Sequence, residues 1–115
     1  MKALGKLFGH RAPAHLEVPP WEEVLANPEE RLAAAGYWRD VEAAMRARGT
    51  IGPVNFPTVL RLVIAYLVAD RASVEVLRST GERAWNTYLE AARLATELEG
   101  ELGLLPLSRG RTARR

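Results

Sequence analysis

From Thr58 to Ser79 the chain contains neither glycine nor proline. Leu60, Val63, Ile64, Leu67, Val74 and Leu77 recur there at helical spacings, which predicts one amphipathic helix about 35 Å long at the usual rise per residue. Leu62, Tyr66 and Val68 widen its apolar stripe, and a stripe that wide has to be covered on more than one side. Every other element must therefore be placed around this helix. Burying each of its large side chains is worth roughly 1.5–3 kcal/mol, which makes it the expected centre of the core.

The elements that could cover it are delimited by their own punctuation. Asn27-Pro28-Glu29-Glu30 puts a capping side chain, a proline at the first helical position and acids in the first turn, each where helix N termini favour them. Ala34, Trp38, Val41 and Met45 follow on one face, and Gly49 stops the helix. Gly36 inside it costs about 1 kcal/mol against alanine, which suggests close packing on a neighbour. Ile51-Gly52-Pro53-Val54 is a connection, and Asn55 with Pro57 is expected to open the central helix as Asn27 and Pro28 open the first. Gly81 ends the central helix, and the stretch to Asn86 turns the chain back. A third helix then presents Trp85, Tyr88, Leu89, Ala92, Ala95, Leu98 and Leu102, with Gly103 as its cap.

No stretch alternates as a strand would. The expected fold is all-α, with three main helices: a long antiparallel helical hairpin and an N-terminal helix packed across it. Trp21, Val24 and Leu25 form one apolar turn, expected to act as a lid. Residues 1–20 read as a flexible basic arm closed by Pro19-Pro20, residues 21–104 as one helical domain, and residues 105–115 as a basic tail. A chain of 115 residues has room for one such domain.

Charge is distributed unevenly. Residues 1–16 carry Lys2, Lys6 and Arg11 without an acid, and residues 105–115 carry Arg109, Arg111, Arg114 and Arg115 without an acid. The stretch between them holds nine arginines against fourteen acids, a net of −5 under an overall +2. Two unbalanced basic ends on an acidic body point to a phosphate-rich or acidic partner.

Catalytic chemistry finds little support. With no cysteine there is neither a disulfide nor a thiolate metal site. His10 and His15 stand in the arm without a carboxylate pattern, so no metal site is expected. No glycine-rich loop precedes a lysine, and Ser73, Ser79 and Ser108 have no histidine at a useful spacing. Neither catalysis nor a cofactor is expected. The apolar run Leu62 to Ala69 is too short to span a bilayer, and residues 1–16 lack the pattern of a signal peptide, so a soluble chain is expected.

The run Ala95 to Arg111, and within it Glu101-Leu-Gly-Leu-Leu-Pro-Leu-Ser-Arg-Gly-Arg111, resembles the C-terminal signature of the phage terminase small subunit family in its short all-helical form. Pro19-Pro20-Trp21 resembles the family's entry, Tyr37-Trp38-Arg39 its first-helix Trp-Arg, and Leu60 to Leu77 its long second helix. The chain departs from the pattern in its shortened turn around Gly81 to Trp85, and in Asn86-Thr87 where an Asn-Pro is usual.

The resemblance implies a non-enzymatic, ring-forming protein of a phage DNA-packaging motor. Such a protein binds double-stranded viral DNA and recruits or regulates the large ATPase-nuclease subunit, in the cytoplasm of the infected bacterial host. Under it, Lys2, Lys6, Arg11, Arg109, Arg111, Arg114 and Arg115 are expected to contact DNA or the large subunit. Trp21, Leu62, Tyr66 and Val68 are expected to form the interface between copies, and residues 21–104 become an oligomerisation domain. Two alternatives stand beside it: a phage head-completion or connector adaptor, and a small helical antitoxin-like regulator.

Overall fold

A computed structural model describes residues 16–78 and 81–104. Among them are the short helix α1 (Trp21–Val24), α2 (Pro28–Arg48), a 3-10 turn (Pro53–Asn55), α3 (Phe56–Arg78) and α4 (Glu82–Glu101), and no strand. The fold is all-α, built on a helical hairpin of α3 and α4 with α2 packed on α3.

The start of α2 follows from its first four residues. Asn27 Oδ1 accepts from the amides of Glu29, at 2.8 Å, and Glu30, at 3.3 Å, while Pro28 gives up only an amide that would lack a helical partner anyway. At the other end Gly49 is left-handed (φ 72°), its amide donates to Arg46 and that of Thr50 donates to Met45, a Schellman closure. Gly103 (φ 70°) closes α4 in the same way, with Gly103 donating to Gly100 and Leu104 to Glu99. Both glycines sit where an L side chain would be strained.

The hairpin turn is tighter than the sequence suggests. Gly81 caps α4 directly, so the helix begins at Glu82 and the segment up to Asn86 is already helical. Asn55 also differs from expectation, because its side-chain amide donates to the Thr50 carbonyl and ties the connection to the start of α3.

α3 lies at the centre, between α2 and α4. Val59, Leu62, Val63 and Tyr66 share one core with Trp38, Val41 and Met45 of α2, Ala95 and Leu98 of α4, and Leu102 at its C-cap. Trp38 is the hub of an aromatic row, meeting Trp21 edge-on at 5.8 Å and Phe56 edge-on at 5.5 Å. The predicted α2 face is buried in full, and Tyr37 joins it. Trp21 acts as the expected lid on the core, whereas Val24 points to solvent.

Two expectations fail here. Residues 16–20 do not belong to a loose arm: Leu16 is 2% exposed, and its amide donates to Glu42 Oε2 at 2.8 Å, which fastens the chain to α2 before Trp21 is reached. Gly36 is not a close-packing site, since a methyl group there would meet only the tip of Arg39, at 3.9 Å.

Candidate interaction surfaces

The register of the three helices decides which apolar side chains remain uncovered. α2 runs antiparallel to α3. Its first turn lies level with Arg71, where Arg71 holds Glu30 through two nitrogens at 2.8–3.0 Å. Further along, the Tyr37 and Tyr66 rings meet at a tilt of 41° with centroids 4.8 Å apart, and Tyr37 donates to Asp70 Oδ2 at 2.5 Å. Beyond Arg71 the hairpin continues for about two more turns, and among the described residues no third helix lies over it.

The apolar pattern continues past that point without its cover. Val74 is 50% exposed, Leu77 87%, Trp85 49% and Leu89 40%. Trp85 stacks on Tyr88 at 6.0 Å, so the two rings partly cover one another at the tip. Sequence periodicity assigned all of these residues to the core. Val74 and Leu77 lie past the first turn of α2, whereas Leu89 stands nine residues, half a revolution of the helix, from the buried Leu98.

A second surface lies on the opposite side of the hairpin. Ala65 and Ala91 let α3 and α4 approach closely, and between the helices runs a groove of about 290 Å³ with Ile64, Val68, Thr87 and Leu94 on its walls. Arg61 and Glu90 stand along it. It continues toward the tip as a space of about 460 Å³ beside Ala72 and Ala84, lined also by Glu75 and Arg83. Ile64 is exposed here, contrary to its expected place in the core.

The core also holds a buried polar contact that the sequence did not flag. Glu99 is 1% exposed, and Tyr66 donates to its Oε2 at 2.5 Å. Tyr66 thereby touches α2 through its ring and α4 through its hydroxyl. A glutamate following Leu98 at the edge of an apolar stripe gives no sign of burial in sequence.

The expected interface residues need correction. Trp21, Leu62 and Tyr66 are spent inside the single chain and offer no surface to a second copy; the extra width of α3 is covered by α2 and α4 together. Of that set, Val68 alone remains partly accessible, in the groove. Lys2, Lys6, Arg11, Arg109, Arg111, Arg114 and Arg115 lie outside the described residues, as do His10, His15 and Ser108.

Comparison with known protein families, with curated proteins and with solved structures finds no match.

The two places where those basic segments join the fold are nonetheless defined. Leu16 is held at Glu42, about two turns before the end of α2, and Leu104 closes the end of α4. Because α2 and α4 both run antiparallel to α3, these points share the end of the bundle opposite the hairpin tip. Among the described residues no group of three His, Cys, Asp or Glu could hold a metal ion, and no helix is long and apolar enough to cross a membrane.

Proposed function

We propose that the chain is a small terminase subunit: a ring-forming, non-enzymatic adaptor that binds double-stranded viral DNA and hands it to the large ATPase-nuclease subunit. The sequence resemblance names the family, and one structural observation favours the role. Two basic segments far apart in sequence attach to the same end of the bundle, and together they carry seven cations and no acid. One copy of such a pole is a weak phosphate binder. Several copies in a ring multiply it, and avidity follows from geometry without any new contact.

The test is binding of the full chain to a double-stranded DNA fragment, followed by fluorescence anisotropy across a salt series. Phosphate contacts release counterions, so affinity should fall steeply, with a log–log slope of several units. Replacing Arg109, Arg111, Arg114 and Arg115 together by alanine should weaken binding and flatten that slope. Binding indifferent to salt, or absent from an assembled ring, would remove the DNA-packaging role and leave a connector adaptor, which needs no DNA affinity.

A further inference from the structure

The groove between α3 and α4 is apolar on its walls and acidic along one rim. Ile64 on one wall is 45% exposed and Leu94 on the other 38%, so both are left half open. On α4, Glu90, Leu94, Glu97 and Glu101 recur at spacings of four, three and four, which puts them on one face, and all four are exposed. Arg61 lines the groove from α3 as the cation across from them. The acidic rim runs down to the end of α4.

At that same end the chain leaves the described fold. Gly103 closes the helix, and Leu104 is buried beside it with its amide on the Glu99 carbonyl. The residues that follow are Leu105-Pro-Leu-Ser-Arg-Gly-Arg-Thr-Ala-Arg-Arg115. Pro106 disfavours a helical conformation at the residue before it. Alternate side chains of an extended chain share one side. In that conformation Leu105, Leu107, Arg109, Arg111, Ala113 and Arg115 would fall together, with Pro106, Ser108, Gly110 and Thr112 facing away.

We propose that this tail turns back at Leu104 and fills the groove of its own chain. Leu94 lies about 12 Å along α4 from the cap at Leu102, and Leu107 lies about 10 Å along an extended chain from Leu104. Glu90, at about 18 Å, and Arg109, at about 17 Å, follow in step. Leu107 enters the gap between Ile64 and Leu94, and Arg109 meets the Glu90 carboxylate. One register thus satisfies the apolar wall and the acidic rim together. The tail reaches about 36 Å, beyond the roughly 22 Å from Leu102 to Thr87, so no second copy is needed to cover the groove. Docking withdraws Arg109 from other phosphates until one displaces it. That consequence for DNA rests on the proposed function; the docking itself does not.

The chain has no cysteine, so an introduced pair reports the contact. Leu94→Cys with Leu107→Cys should close into a disulfide within one chain, about tenfold faster than Thr96→Cys with Leu107→Cys, whose tether is the same. Thr96 is exposed about half a revolution round α4 from Leu94. Mass spectrometry and a non-reducing gel separate closed monomers from linked dimers. Equal rates for the two pairs would overturn the proposal, and so would dimers in place of closed chains, which would give the groove to a neighbour's tail.

Circular dichroism establishes that the variants fold. Should a cysteine pair disturb the fold, limited trypsin digestion of the cysteine-free chain reads the same contact. Glu90→Gln with Glu97→Gln, both at exposed positions, should speed cleavage after Arg109 several-fold, and an unchanged rate would count against docking. Double-stranded DNA added before oxidation should slow closure of the Leu94→Cys, Leu107→Cys pair several-fold. Closure that DNA leaves unchanged would keep the docked tail and count against its part in packaging.

Discussion

At the scale of single residues, the structure separates side chains that hold the fold from those that merely fit its pattern. Gly36 fills no tight space and has an ordinary right-handed helical environment, so Gly36→Ala should stabilise the protein by about 0.5–1 kcal/mol, read as a higher urea midpoint at unchanged slope. Asn27 satisfies two amides at the head of α2, and Asn27→Ala should cost about 1 kcal/mol in the same assay. The two tyrosines differ by burial. Tyr66→Phe takes a hydrogen bond from a fully buried carboxyl group and should cost about 1–3 kcal/mol, whereas Tyr37→Phe takes one from the exposed Asp70 and should cost less. Equal losses would mean that Glu99 draws nothing particular from its tyrosine.

At the scale of elements, the finding that matters is a mismatch of lengths. α3 has 23 residues, but α2 begins level with Arg71, so among the described residues the bundle has three helices at its base and two at its tip. Tryptophan substitutions report this. Trp38→Ala empties the middle of the aromatic row and should cost about 3–5 kcal/mol, while Trp85→Ala should cost about 1 kcal/mol or less in the isolated chain. Chemical denaturation of dilute protein gives both numbers, and a large loss at Trp85 would place that indole in the core after all. The element boundaries were legible in sequence wherever capping chemistry wrote them, as at Asn27-Pro28, Gly49 and Gly103. They were misjudged at the start of α4, because Gly81 caps the helix with its backbone alone and has no side chain to announce it.

At the scale of the whole molecule, the chain is bipolar. The described fold ends at Leu16 and Leu104 at its base, where the basic segments attach, and leaves Leu77 and Trp85 exposed toward its tip. Under the proposed packaging role, raising salt should weaken DNA binding through counterion release while leaving the apolar core of the fold intact or strengthened. Circular dichroism and DNA anisotropy measured across one salt series would show the two responses diverge; a parallel loss of both would place the lost binding in the fold rather than in the charges.

By itself the sequence determined the helices, their caps and the face of α2, because those depend on side chains within a few positions of one another. It also determined where charge accumulates, since that is a sum over neighbours. Tertiary structure decided which apolar stripes are covered, because cover depends on how far one helix reaches along another. Periodicity could not distinguish Leu67, buried in the core, from Leu77, which is exposed past the reach of α2. The same limit hid Glu99, whose burial is set by Tyr66 a whole helix away.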